Sequence, residues 1–116
     1  MNSIFDSELK LMEIVWAHEP ISAKELSLFA SEKMGWNKNT TYTVIKRLIE
    51  KQVLSREEPG FICRSLIKRT EVQKEQANSL IEKLFDGSKK NFFAAFADEK
   101  LDEDEIAELK KLIERQ

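Results

Sequence analysis

Apolar residues recur along this chain with two different periods, and the places where the period changes mark its elements. In "DSELKLMEIVWAH", Leu9, Met12, Ile14, Val15 and Trp16 return at helical spacing behind Asp6 or Ser7 as N-cap. Pro20 closes that helix, because proline pushes the residue before it, Glu19, out of helical geometry. Ser22 opens a second helix, "SAKELSLFASEKM", and Glu25 three residues on completes a capping box. Leu26, Phe29 and Met34 form its apolar side, and Gly35 stands where a helix-ending glycine belongs. A third helix runs from about Asn37 to Gln52.

Two short runs rich in β-branched and apolar residues follow, "VLSREE" and "FICRSLI", joined by Pro59-Gly60; this pattern predicts a β-hairpin. Helical spacing resumes at Thr70, with Val72, Gln76, Leu80 and Leu84 on one side, Ile81 and Phe85 beside them, and Asp86-Gly87 as the stop. "SKKNFFAAFADEK" groups Phe92, Phe93 and Phe96. A last helix, "LDEDEIAELKKLIERQ", aligns Ile106, Leu109, Leu112 and Ile113, with an acidic start and basic end that complement the helix dipole. The order predicts a mainly α chain with a small β-hairpin: a winged helix-turn-helix domain over residues 1–69, then a helical domain over 70–116.

The third helix has two unlike sides. On a wheel of about 100° per residue, Tyr42, Thr43, Lys46 and Glu50 cluster around Asn39, while Thr41, Val44, Ile45 and Leu48 lie opposite. Thr40 and Arg47 stand at the shoulder. One side is suited to a core, and the other offers hydroxyls, an amide and cations. In a helix-turn-helix such a face enters the major groove. Asn39, Thr40 and Thr43 are short enough to approach base edges, and Tyr42 suits a sugar, a methyl or a phosphate. Lys38, Lys46, Arg47, Lys51 and Arg56 are the expected phosphate contacts, which position the helix without reading sequence.

Charge adds to this picture only when divided along the chain. The net formal charge is -2. Residues 36–69 nevertheless carry 8 Lys/Arg against 3 Asp/Glu, whereas residues 1–35 carry 3 against 6 and residues 70–116 carry 8 against 12. A basic middle between acidic flanks is the footprint of an anion-binding face or of a plain solvated basic surface. The same helix could also dock on another polypeptide, and the net negative charge and the acidic pair Glu57-Glu58 favour that alternative of a winged-helix protein-interaction module.

Composition excludes other classes. Charged residues make up 34% of the chain, with 3 Gly and 2 Pro, which suits a helix-rich cytoplasmic protein. No apolar run approaches the roughly 18–20 residues of a membrane span, and the N-terminus lacks the basic and apolar regions of a secretion signal. The single cysteine, Cys63, supports neither an intrachain disulfide nor a cysteine metal cluster and reads as a buried strand residue. The only histidine, His18, reads as a helix-end dipole partner, and "LDEDE" lacks the loop glycine and oxygen spacing of a calcium site. No phosphate-binding glycine loop is present. Neither an enzyme nor a bound cofactor or metal is expected.

The segment "WNKNTTYTVIKRLIEKQVLSR" resembles the recognition region of the penicillinase-repressor family of winged-helix regulators: an aromatic residue, then Thr-x-x-Thr-x-x-x-Arg-Leu, a lysine and the wing. The matching positions are Trp36, Thr40, Thr43, Arg47, Leu48 and Lys51. "DSELKLMEIVW", ending in Trp16, resembles the family's first helix, and "LDEDEIAELKKLIER" its last, so the likeness spans about residues 3 to 115. The resemblance implies a repressor of antibiotic-resistance genes that binds a palindromic double-stranded operator as a dimer, the dimer being formed by interlocked C-terminal helices. It also implies release by a regulatory protease acting in the C-terminal part. The cysteine-rich C-terminal motif of the copper-responsive branch is missing. The wing departs from the family by its shortness and by Glu57 and Glu58, which should repel phosphate. The family's Asn–Phe cleavage point aligns near Ala94–Ala95, while Asn91–Phe92 has the right letters three residues early.

Dimerisation also has support from the residues themselves. Leu80, Leu84, Phe92, Phe93, Phe96, Ile106, Leu109, Leu112 and Ile113 are too many large apolar groups for two or three helices of one 13.5 kDa chain to cover. Each is worth roughly 1.5–3 kcal/mol on burial, and a two-fold partner is the commonest cover. Folding back on the winged helix is the alternative.

Overall fold

The computed structural model describes residues 3–97 and 102–114, and in the last helix the side chains of Leu109, Leu112 and Ile113 lie outside the described residues. In chain order the elements are α1 (Asp6–His18), β1 (Ile21–Ser22), α2 (Ala23–Met34), α3 (Lys38–Glu50), β2 (Leu54–Glu57), β3 (Ile62–Ser65), α4 (Arg69–Phe85), α5 (Lys89–Ala95) and α6 (Glu103–Glu114). They form two compact units, residues 1–69 and 70–116.

The first unit is built around three helices. α1 contributes Leu11, Met12, Ile14 and Val15 to the core, α2 contributes Leu26 and Ala30, and α3 contributes Val44, Ile45 and Leu48. Their starts and stops are locally encoded. Ser22 Oγ accepts the Glu25 N–H (3.1 Å), as the capping pattern requires. Gly35 ends α2 at φ +67°, a left-handed conformation natural to glycine. Two residues later Asn37 caps α3, its side-chain oxygen accepting the Thr40 N–H (2.8 Å). The α2–α3 connection is thereby limited to Gly35, Trp36 and Asn37, which fixes α3 closely after α2.

The hairpin expected after α3 is present, with Arg56 opposite Cys63 and Glu57 opposite Ile62. It is joined by a strand that periodicity does not reveal: Ile21 and Ser22 pair with Cys63 and Ile62, giving an antiparallel sheet in the order β1-β3-β2. Two residues are too short for any alternation to register. Cys63 lies in the central strand with no exposure, and burial pushes its thiol up to about 11. Trp16 donates its indole N–H to the Ile67 carbonyl (3.1 Å), and Glu19 accepts from the backbone and hydroxyl of Ser65, fastening the hairpin's exit to α1. His18 is the last residue of α1, at the helix end its sequence position predicts, and its ring also stacks on Phe29 at 4.3 Å.

α1 begins at Asp6 itself, after Phe5 as N-cap, and not behind Asp6 or Ser7. Phe5 has no side-chain acceptor, so only the return half of a capping box forms: Glu8 accepts the Phe5 N–H at 2.8 Å. Glu8 has no exposure, and Lys51 at the end of α3 donates to the same oxygen at 2.7 Å. Burial alone would raise the Glu8 carboxyl. The Lys51 hydrogen bond, the Phe5 N–H and the nearby Lys51 and Arg47 charges outweigh it and hold it below its ordinary 4.5.

In the second unit Ile81 and Phe92 are buried together, with Phe85 and Phe93 packed against them. Phe92 meets Phe85, Phe93 and Phe96 edge-on at 5.2–6.0 Å between centroids. Phe92 therefore serves this unit's own small core and is not on its open surface. Gly87 turns the chain between α4 and α5 at φ +79°, where an added Cβ would meet a Glu82 carboxylate oxygen at 2.9 Å. Leu80, Leu84, Phe96 and Ile106 remain exposed, by 39–64%.

Removing the buried carboxylate tests the α1–α3 fastening. Glu8→Ala strands the Lys51 ammonium and is expected to cost about 3 kcal/mol, near the lower end for a broken buried pair. Because the folded Glu8 titrates low, its stabilisation is complete above about pH 4.5 and is lost as pH falls through the lower, folded value. Urea midpoints of wild type and Glu8→Ala should therefore converge on acidification from pH 6 to pH 3.

Candidate nucleic-acid interface

α3 is amphipathic in the way its sequence requires. Thr41, Val44, Ile45 and Leu48 are buried beneath it. Lys38, Asn39, Thr40, Thr43, Lys46 and Glu50 are exposed, and Tyr42 and Arg47 are half-buried at the edges. Two hollows flank the exposed ridge. One is lined by Ser7, Trp36, Asn39, Thr40, Thr43 and Arg47. The other lies towards the hairpin and is lined by Tyr42, Lys46, Ile49, Glu50, Arg56 and Phe61. A ridge of this kind can enter a groove while the hollows receive its walls.

The hydroxyls on the ridge are partly committed. Thr43 donates its only hydroxyl proton to the Asn39 carbonyl (2.9 Å), leaving its lone pairs and methyl to present outward. A thymine methyl or the amino group of adenine or cytosine is the complementary chemistry. Asn39 has its side chain exposed, since the cap of α3 is made by Asn37. Tyr42 is held by neighbours on two sides: its ring meets Phe61 edge-on at 5.9 Å, and Lys38 Nζ lies 5.8 Å from its centroid.

The cations divide into two groups, which the sequence did not separate. Lys38 and Lys46 on α3, and Lys68 past the hairpin, are exposed and have no carboxylate partner among the described residues. Lys51 departs from its expected phosphate contact. Its ammonium is turned inward to Glu8 and the Ser3 carbonyl (2.9 Å), and it lies 4.0 Å from the Phe5 ring centroid. Arg47 is intermediate, with its Nε 3.6 Å from Glu8 and its side chain 42% exposed. Arg56 lies over the Phe61 ring at 3.7 Å and is paired with Glu58 at 2.6 Å. Arg64 pairs with Glu57 at 3.0 Å and Arg69 with Glu13 at 2.9 Å.

Five of the eight cations in residues 36–69 thus face a carboxylate of the same unit. The basic segment is much less basic as a surface than as a string of letters. The same pairing changes the reading of the wing. Glu57 and Glu58 are not bare carboxylates, since each is countered by an arginine, and Arg56 holds the Glu58 carboxyl below its usual value. The phosphate repulsion expected of them is offset locally. Glu8, Ser7 and Phe61 are contributors that the sequence reading missed. Glu8 had a signal, an acid aligned with the apolar stripe of Leu11, Met12 and Val15.

Comparison with known proteins places this geometry. The chain is 28% identical over 110 residues to a penicillinase repressor of Staphylococcus aureus, covering 92% of this chain and 87% of that one. It is 25% identical over 115 residues to the methicillin resistance regulatory protein MecI of Mammaliicoccus sciuri, covering 97% and 94%. Among solved structures it resembles the monomeric form of Bacillus licheniformis BlaI in complex with the blaP half-operator, with a TM-score of 0.55 and 29% identity. That match covers 60% of this chain and 88% of the other. The family model for penicillinase repressors matches from residue 4 to residue 115. A match over almost the whole length, on a winged helix whose third helix keeps its polar ridge clear, means that the chain belongs to the penicillinase-repressor family.

Proposed function

We propose that this protein is a sequence-specific DNA-binding transcriptional repressor that acts as a homodimer on a two-fold symmetric operator. The observation that carries the reading is the exposed ridge of α3, with Asn39, Thr40 and Thr43 outward over a buried apolar side. In this role Asn39, Thr40 and Thr43 meet base edges, Tyr42 packs on the backbone, and Lys38, Lys46 and Arg47 meet phosphates. Arg56 contributes through the wing with its charge already shared by Glu58. Lys51 has no direct part, since Glu8 holds it inward. Kinship with a penicillinase repressor and a methicillin resistance regulator supports antibiotic-resistance genes as the targets. No helix among the described residues is long and apolar enough to cross a membrane, so we assign no membrane-spanning part to this role.

The two-fold partner is supported by exposed apolar groups in the second unit. Leu80 and Leu84 are 43% and 64% exposed one helical turn apart on α4, and Phe96 and Ile106 are also open. Leu109, Leu112 and Ile113 are assigned to the same role on their sequence pattern. Phe93 is half-buried and Phe92 buried within the unit, so they act as support for that surface. Release by a regulatory protease belongs to the same reading. The Asn91–Phe92 bond lies within α5, with Phe92 in the core, so cutting there requires α5 to open first.

Duplexes selected by the wild-type chain from a random pool provide the test. With Lys38 and Lys46 free and Arg47 about half offset by Glu8 in each copy, binding by a dimer should fall with salt at a log–log slope of roughly -4.5, at about -0.9 per phosphate contact. A slope near -10 would contradict the internal pairing of the other cations. Asn39→Ala and Thr43→Ala should each cost about 1–3 kcal/mol on the selected duplex and relax selectivity, whereas Lys46→Ala should weaken all duplexes alike. Retained affinity and selectivity in both α3 variants would refute the reading.

Dimerisation is checked separately by Leu84→Glu, which alters an open surface position. Sedimentation should report a monomer, and affinity for the full selected duplex should drop about 100-fold as the tether between half-sites is lost. An unchanged sedimentation mass would count against the dimer.

A further inference from the structure

Beneath the reading ridge lies a charge that makes no contact with any surface. Glu8 is fully buried, and its two oxygens have different neighbours. Oε1 accepts from the Phe5 N–H and from Lys51 Nζ, at 2.8 and 2.7 Å. Oε2 has no hydrogen-bond donor and faces Arg47 Nε at 3.6 Å, and that buried Nε has no acceptor of its own. At 3.6 Å the pair attract as charges without forming a hydrogen bond. Arg47 also donates from Nη2 to Ser7 Oγ at 3.4 Å. Arg47 also lines the hollow shared with Asn39, Thr40 and Thr43, and its side chain is 42% exposed. The arginine therefore stands between an internal acid and the hollow beside the reading ridge.

An unpaired cation strengthens binding to every duplex equally, because phosphates carry no sequence. Selectivity is a difference between affinities, so an added uniform attraction does nothing for it and helps the wrong sites hold the protein. A cation with an internal counter-charge behaves differently. It attracts phosphate weakly at a distance, and its held edge restricts where its outward edge can bond.

We infer that Glu8 is a positioning residue for DNA selectivity: it holds Arg47 and offsets its charge from beneath, suppressing binding to non-cognate duplex while fixing the guanidinium for the register in which α3 reads bases. This inference deepens the repressor reading and rests on it. Lys51 is the second control on the same cluster, because it competes with Arg47 for the one carboxylate. Removing the acid leaves two cations uncompensated; removing Lys51 leaves the acid to Arg47 alone.

The two changes should therefore shift DNA binding in opposite directions. Glu8→Gln keeps the size of the side chain and an oxygen for the Phe5 N–H. The probes are a duplex selected by the wild-type chain and a scrambled duplex of the same composition, titrated by fluorescence anisotropy between 50 and 200 mM salt (roughly the range over which counterion release dominates). For Glu8→Gln the log–log salt slope on the scrambled duplex should steepen by about 0.9, and binding there should tighten about three- to tenfold. The selected-to-scrambled ratio should fall by a similar factor. For Lys51→Met the slope should become shallower by up to about 0.9 and scrambled binding should weaken. A purely structural role would lower thermal stability in both variants and leave the two slopes together. Unchanged slopes, or slopes that move the same way, in variants shown by melting to be folded would overturn the role of Glu8. If Glu8→Gln does not stay folded at the assay temperature, the Lys51→Met slope decides alone, and an unchanged value overturns the proposal. A wild-type chain that recovers no preferred duplex would instead overturn the repressor reading itself.

Discussion

One carboxylate without access to water ties the start of α1 to the end of α3. Apolar packing of Val44, Ile45 and Leu48 draws α3 onto the core, but such packing is non-directional and tolerates small rolls and slides of a helix. A 2.7 Å charged hydrogen bond from Lys51 to Glu8 tolerates far less. It also joins residues 43 positions apart, so the roll of α3 is set by the far end of the unit and not only by its own cap. Everything outward on α3 inherits that roll: Asn39, Thr43 and Lys46 point where they do because Thr41, Ile45 and Leu48 are pinned beneath them. A buried ion pair is a poor way to gain stability compared with an apolar pair. It makes better sense as a device that selects one arrangement of the helices, and the inward turn of Lys51 is the cost in surface charge.

The hairpin follows a similar economy of charge. Arg56 and Arg64 flank the wing, and each is matched by a glutamate within a few residues along the hairpin. Exposed pairs of this kind stabilise little, because water screens them. Their effect is on the field outside. The wing presents arginine guanidinium and Phe61 ring without a large net charge, and the Tyr42–Phe61 edge contact joins it to α3. The hollow between helix and wing thus combines the aromatic and aliphatic side chains of Tyr42, Phe61 and Ile49 with the charged Lys46, Glu50 and Arg56. In the proposed role it would receive a backbone that other contacts have positioned, since its lysine and arginine are set beside a glutamate.

Much of this architecture was legible in the letters. The helical periods, the Ser22 cap, Gly35, the Pro59-Gly60 turn and the two-sided wheel of α3 are local signals, and local signals survive in a sequence. What escaped is non-local. β1 is two residues long and exists only because Cys63 and Ile62 lie beside it. Lys51 and Arg56 look alike as cations beside a recognition helix, and only the fold shows one facing Glu8 and the other Glu58. Phe92 reads as one more surface phenylalanine until Ile81 and Phe85 close over it. Glu8 was visible as an acid in an apolar stripe, but nothing local says whether such a residue escapes to water or finds a partner across the core.

These features together explain how a chain of net charge -2 can serve DNA at all. A protein that relied on bulk positive charge would hold any duplex, and in a genome the wrong sites outnumber the right one by orders of magnitude. Here the four arginines of the basic segment each face a carboxylate inside their own unit, and of its unmatched lysines Lys38 and Lys46 flank the short side chains of α3 while Lys68 lies past the hairpin. Attraction is then concentrated where reading happens. In the proposed role, a wrong sequence that keeps Asn39 and Thr43 from close approach would also keep the α3 lysines from their phosphates, because both sets ride on one helix. Affinity and recognition are coupled by geometry in this reading, and the second copy of the chain proposed above would multiply the discrimination without any added charge.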